Sequence, residues 1–224
     1  MVAHGSDRCT QLLMRRFATP EVTQDLQESG FALGGKLVQA SVMFSDIRGF
    51  TSLAESQTPE ETIELLNTYY ALMFDAISGH GGVVTLMMRD GLMSVRCAHD
   101  AAGPLRERGQ RGAGNGRADR SVHLEREATA KPSIRIGIGI ASGEMVVGYT
   151  GTNERATYTC VGDIVNIASR LEMHTKVAQR IILMDHAMRF GLGAGFEVEP
   201  LGAVPFKGKA AAVEVYSIGP AKSR

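Results

Sequence analysis

The sequence has 224 residues, 44% of them hydrophobic, and its 24 basic side chains balance 24 acidic ones. That length suits one domain with extra segments, the apolar share supports a packed core, and zero net charge creates no global field to recruit nucleic acid or an acidic membrane surface. No run of about 18 apolar residues is present to span a bilayer, and the opening MVAHGSDRCTQLLMRRF lacks the apolar centre and cleavage site of a signal peptide.

In chain order, residues 1–36 read as a polar lead-in with one short helix, started at Thr19-Pro20-Glu21 because proline tolerates the first helical position. Gly34-Gly35 release the chain into a strand over 37–45. Thr58-Pro59-Glu60-Glu61 forms a capping box, and Ile63, Leu66, Tyr70, Met73, Phe74 and Ile77 follow at spacings of three and four, which predicts a helix with one apolar face ended by Gly79, Gly81 and Gly82. VVTLMM and LMSV, split by Arg89-Asp90-Gly91, predict a hairpin. Residues 99–131 form a segment apart, and from Asp100 to Arg120 Leu105 is the single large apolar residue, so this tract reads as disordered or a long exposed loop. Strands follow at 133–141, 144–150 and 157–162, then a helix from Asp163 to His174 and a last strand at 212–219, with 220–224 a tail. Cys9, Cys97 and Cys160 are odd in number and form no CxxC pair, which fits a reducing cytoplasm without structural zinc. The element order is that of an α+β or α/β sandwich with a mixed or antiparallel sheet, in one unit over 37–219.

Two carboxylates stand out by position. Asp46 ends a buried strand ahead of Ile47-Arg48-Gly49, and Asp90 sits at a hairpin tip beside Gly91. Carboxylates so placed can converge on a hard divalent cation; each also has a plainer reading, Asp46 as the cap of a short following helix and Asp90 as a turn residue. Asn166 and Arg170 are four apart and share one helix face, where an amide and a planar cationic fork suit a ribose oxygen and a phosphate, or form a polar stripe facing solvent.

FSDIRGFT, DGLMSV, RIGIGIASGEMVVGYTG and YTCVGDIVNIASRLE together resemble the catalytic domain of class III nucleotidyl cyclases, most nearly bacterial, mycobacterial-type adenylyl cyclases. The resemblance covers roughly residues 17–98 and 132–219. It implies an α+β fold with a ferredoxin-like βαββαβ core and additional strands, and conversion of ATP to 3′,5′-cyclic AMP and pyrophosphate with two Mg²⁺ or Mn²⁺ ions. It assigns Asp46, Asp90 and the Ile47 carbonyl to the metals, Asn166 to the ribose, and Arg170 to the charge on the α-phosphate. Phe44, Gly49, Phe50 and Thr51 belong to the stretch expected to wrap the triphosphate, Thr159 to purine selection, and Lys207 or Lys209 to the terminal phosphates. It also implies a head-to-tail homodimer sharing two sites, since the family draws the aspartates and the Asn/Arg pair from different subunits.

The chain departs from that pattern in three places. Leu86 stands where adenylyl cyclases usually carry an adenine-reading lysine, which leaves base selection to Thr159 and shape and keeps a guanylyl or mixed-purine cyclase as an alternative. Arg89 replaces a glycine, and either strains the turn and competes with the cation at Asp90 or points harmlessly to solvent. Residues 96–122 keep the family's length without its hydrophobic pattern. Gly, Ala, Arg and Pro are what a GC-rich gene yields out of frame, so compensating frameshifts account for the tract, with a tolerated insertion as the alternative. A lost core-covering helix would favour a degenerate domain that binds nucleotide or metal and turns over little.

Overall fold

The computed structural model describes residues 33–97, 134–152, 156–192 and 196–218. The expected helix near Pro20, the tract 99–131 and the tail lie outside the described residues.

Strand β1 (Gly34–Ile47) leads into a short helix, α1 (Phe50–Glu55), and a long one, α2 (Pro59–Ser78). Helix α2 starts as its sequence predicts. Thr58 Oγ1 accepts from the Glu61 amide at 3.2 Å and the Thr58 amide donates to Glu61 Oε2 at 2.9 Å, a reciprocal cap worth about 1 kcal/mol. Its buried face is displaced from the expected one. Leu65, Tyr69, Met73 and Ile77 are buried, whereas Ile63 is 59% exposed. Apolar residues cover a wide arc of this helix, so periodicity alone does not set the phase. The buried hydrogen bond from Tyr69 Oη to Ser45 Oγ, 3.0 Å, marks the line that faces the sheet.

The predicted hairpin forms as β2 (Val83–Met87) and β3 (Gly91–Cys97), closed by the Met88 amide donating to the Gly91 carbonyl at 2.8 Å. Arg96 and Cys97, at the start of the altered tract, still pair with Ser41 and Ala40 of β1. The two strands expected over 133–150 are one, β4 (Ile136–Gly151), because Ser142 and Gly143 at the expected break keep their ladder partners Ser41 and Ala40. Then come β5 (Ala156–Val161), α3 (Asp163–Ala178), β6 (Ile182–Asp185), α4 (His186–Gly191), β7 (Val198–Val204) and β8 (Val213–Ile218). Helix α3 runs one turn beyond the predicted end; β6 and α4 are too short to leave a period in the sequence, and in β7 Pro200 and Gly202 interrupt the strand pattern.

The strands form one sheet in the order β2-β3-β1-β4-β6-β8-β7, with β5 paired to β4. Its first four strands, all antiparallel, have the arrangement of the ferredoxin-like core, and the rest are the additional strands. Helix α2 covers one face over Met43, Ile47, Leu92 and Ile138, and α3 covers the other over Val42, Val95 and Ala141. Each buried side chain of this size contributes about 1.5–3 kcal/mol. Among the described residues no helix is long and apolar enough to cross a membrane.

Glycines on β4 let α3 lie close. A Cβ at Gly139 would stand 2.2 Å from both the Ala168 carbonyl oxygen and the Glu172 amide nitrogen, and one at Gly137 would stand 2.4 Å from Thr175 Oγ1. Gly137 is also the ladder partner of Asp46, so the close-packed helix end lies beside the tip of β1.

Candidate active site

Asp46 is the penultimate residue of β1 and faces α3, because Ile47 after it is buried toward α2. The β2–β3 hairpin brings Asp90 alongside. The Ile47 amide donates to the Asp90 carbonyl at 2.9 Å, and Gly91 is the ladder partner of Asp46. Only a residue without a side chain fits at 91, since a Cβ would meet the Ser45 carbonyl oxygen at 2.4 Å and Asp46 Oδ1 at 3.0 Å. We expect Gly91→Ala to push the hairpin off β1, costing about 1–3 kcal/mol and weakening Mn²⁺ binding in a calorimetric titration; unchanged binding would show that this contact does not set the pair of carboxylates.

The chain then turns through Gly49, whose φ of 69° is left-handed, into α1. Gly49 is the N-cap and no side chain caps α1, so Asp46 does not serve as its cap. Phe50 is buried, Thr51 is exposed, and Phe44 is half-buried in the strand ladder opposite Met93 and Gly139. The amides of Ile47 and Arg48 are already engaged, by the carbonyls of Asp90 and Arg135. Arg89 is unstrained, because Gln179 is the single non-glycine residue with positive φ among the described residues. Its guanidinium lies over the Phe50 ring, 5.8 Å from the centroid, and its charge lowers the pKa of Asp46.

Burial, and after it the charge of Asp90, pushes the Asp46 carboxyl up to about 6, although Lys176 Nζ stands 3.8 Å from its Oδ2. A further carboxylate lies behind. Glu172 on α3 is 7% exposed, its Oε1 has no hydrogen-bond partner among the described residues, and burial followed by the charge of Asp46 pushes it up to about 7. A folded-state pKa above the unfolded value means that stability falls as pH rises from about 4.5 to about 7 and stays low above that. Glu172→Gln is therefore expected to match the parent at pH 4.5 and to be more stable by about 2–3 kcal/mol at pH 8 in EDTA. Equal melting temperatures at pH 8 would refute it. Behind this group, Arg48 Nη2 donates to the Thr175 carbonyl at 3.2 Å and also to the Arg180 carbonyl, closing the C-terminus of α3.

A second cluster lies toward the other end of α3. Asn166 is exposed and Arg170 half-buried. The loop between β7 and β8 brings Lys207, exposed, and Lys209, which pairs with Asp163. Thr159 lies on β5 opposite Gly148, and Leu86 on β2 is 47% exposed. Within one chain the clusters stay apart. Asn166 and Lys176 are ten residues apart, about 15 Å along the helix axis, and Lys176 is the residue that reaches Asp46.

The structure thus gathers Asp46, Ile47, Asp90, Gly49, Phe50 and Thr51 at one place, and Asn166, Arg170, Lys207 and Lys209 at another. Sequence reasoning missed Glu172, Lys176 and Asp163. The spacing of Glu172 and Lys176 was readable, but nothing in the sequence says that their helix ends beside Asp46. Among the described residues no three His, Cys, Asp or Glu side chains form a metal-binding group; two carboxylates and a carbonyl are nonetheless a hard-oxygen set of the kind Mg²⁺ takes when substrate phosphates complete its shell.

The family profile described as adenylate and guanylate cyclase catalytic domain matches residues 36–88 and 117–219; the stretch between, 89–116, holds Arg89, Asp90, β3 and most of the patternless tract. Adenylate cyclase 1 of Rhizobium meliloti (strain 1021) is 30% identical over 195 residues, 85% of this chain; the chain spans 29% of that relative's length. Among solved structures, the adenylyl cyclase CyaB from P. aeruginosa is 28% identical with a TM-score of 0.73, covering 86% of this chain and 98% of that one. The guanylyl cyclase Cya2 is 27% identical with a TM-score of 0.70, covering 85% and 96%.

Proposed function

Because the chain belongs to the adenylate and guanylate cyclase catalytic-domain family, we propose that it converts ATP to 3′,5′-cyclic AMP and pyrophosphate, working in pairs of chains that share each site. The observation that carries this reading is the convergence of Asp46 and Asp90, close enough for the charge of Asp90 to be felt at Asp46, at a strand end followed by a glycine turn. Asp46, Asp90 and the Ile47 carbonyl would hold divalent cations, Mg²⁺ or Mn²⁺. When bound, such ions supply the Lewis acidity that draws charge from the α-phosphate and eases loss of the ribose 3′-hydroxyl proton.

The O3′–Pα bond forms as the bond from Pα to pyrophosphate breaks, and the hydroxyl proton leaves. In this reading the Asn166 amide orients the ribose and the Arg170 fork meets the negative charge that grows on the α-phosphate. Amides at the start of α1, around Phe50 and Thr51, face the phosphates, and Thr159 helps to read the base. The separation of the two clusters along α3 supports a head-to-tail pair, in which Asn166 and Arg170 serve the aspartates of the other copy.

Leu86 favours a second reading, a cyclase of mixed purine use. An exposed leucine offers the base no hydrogen bond, so discrimination by this position is lost. The deciding experiment is a Mn²⁺-dependent assay with ATP and GTP in parallel. We expect cyclic AMP as the main product, a preference below about a hundredfold, and a larger preference in Leu86→Lys. GTP as the better substrate would overturn the adenylyl assignment, and no product from either nucleotide would support a domain that has lost turnover.

A further inference from the structure

The loop from β7 to β8 lies along α3. The Phe206 ring stands edge-on to His174 with centroids 5.7 Å apart. Gly208, at φ 77°, lies beside Arg170, where an added Cβ would make an ordinary contact of 3.5 Å with its Nη2. The Lys209 ammonium, its side chain 19% exposed, pairs with Asp163, and the Lys209 amide closes the turn by donating to the Phe206 carbonyl at 3.1 Å. Helix positions 163, 170 and 174 fall on one line at 3.6 residues per turn. The segment is therefore a strap laid against the face that carries Arg170. Lys207, within the same strap, is exposed, and no ion pair holds it among the described residues.

A lysine whose side chain is 19% exposed and paired with a carboxylate, here one 62% exposed, must give up that pair before it can meet a phosphate; an exposed lysine outside any pair need not. A guanidinium with a strap beside it has fewer orientations than one in water, and only a fixed charge stabilises a transition state without reorganising first. We propose that Lys209 and Asp163 form a latch, positioning residues that pin the strap over Arg170 and hold its fork in place, while Lys207 is left to meet the substrate's phosphates. This rests on the reading of Arg170 given under Proposed function.

The test compares Asp163→Asn, Lys209→Met, their double variant, Lys209→Arg and Lys207→Met, with two readouts. Amide hydrogen exchange over 206–209 needs no turnover. It is expected to quicken about two- to fivefold in Asp163→Asn and in Lys209→Met, no further in the double variant, and hardly at all in Lys209→Arg. With ATP, Asp163→Asn and Lys209→Met are each expected to lower kcat about tenfold at nearly constant KM, again without additivity. Lys207→Met is expected to raise KM instead. A Lys209→Met loss that far exceeds that of Asp163→Asn and comes with a raised KM would make Lys209 a phosphate ligand and overturn the latch. Exchange unmoved by either substitution would overturn it too. A wild-type chain that makes no cyclic nucleotide would count against the cyclase reading alone, and exchange would still decide the latch.

Discussion

Asp46→Asn is expected to cut cyclic-nucleotide formation by about a thousandfold, and to raise the melting temperature of the metal-free protein by about 4–8 °C at pH 8. Under the proposed function the first effect follows from removing a carboxylate that would hold the divalent cation, which forfeits several kcal/mol of transition-state stabilisation at about 1.4 kcal/mol per decade of rate. The second follows from the cost of the same charge in the folded chain. Burial and Asp90 push the Asp46 carboxyl up to about 6, so stability is lost as pH rises from about 3.8 to 6 and remains lost above. Asparagine keeps the shape and removes the charge, recovering about 2 kcal/mol after the full shift, which already contains the pull of Lys176, is discounted for partial solvent exposure. Melting in EDTA and then in Mn²⁺ separates the two effects, because Mn²⁺ should raise the parent's melting temperature and leave the variant's unchanged. A variant that is both inactive and less stable without metal would mean that Asp46 serves the fold. A variant as active as its parent would remove Asp46 from the site.

The second large effect is recovery rather than loss. Asp46→Ala and Arg170→Ala should each be nearly inactive alone, and mixing them in equal amounts should restore about a quarter of wild-type activity. Random re-pairing makes half of the dimers mixed, and each mixed dimer has one intact site and one doubly damaged site. The expectation rests on Asn166 lying about 15 Å along the α3 axis from Lys176, the residue that touches Asp46. Were both clusters to act within one chain, every site in the mixture would carry a lesion and nothing would be recovered. Activity of a mixture no greater than the average of the two variants alone would therefore exclude shared sites.

Much of this was readable in advance where chemistry and geometry are local. The capping box at Thr58, the Asp-Gly hairpin and the glycine after Asp46 each fix their own few residues, and all three stand where the sequence puts them. What was illegible depends on contacts between distant segments. Periodicity offered Ile63 to the core when the sheet takes Leu65 and Tyr69, because a broad apolar arc does not declare which line meets Ser45. Two strands are expected, ending at 141 and restarting at 144, yet pairing of Ser142 and Gly143 with Ser41 and Ala40 holds one long strand. Glu172 reads as an ordinary helix-surface acid, and only the approach of α3 over Gly137 buries it beside Asp46. The Arg89 substitution, read as a possible strain on the turn, finds an aromatic ring to lie on instead.

The contact of α3 with Gly137 and Gly139 has a consequence for how such a chain can diverge. At Gly139 helix backbone rests on strand backbone, and at Gly137 the side chains of Thr175 and Glu172 fill the place of a Cβ, so the spacing there is set by close contacts that any side chain at 137 or 139 would break. The helix then works as a gauge between its two clusters, and Leu86, which is 47% exposed, and Arg89, which is exposed as well, are positions where a substitution leaves that gauge untouched. Substrate preference and ion demand can wander from one descendant to the next while the distance between the chemical groups stays inherited.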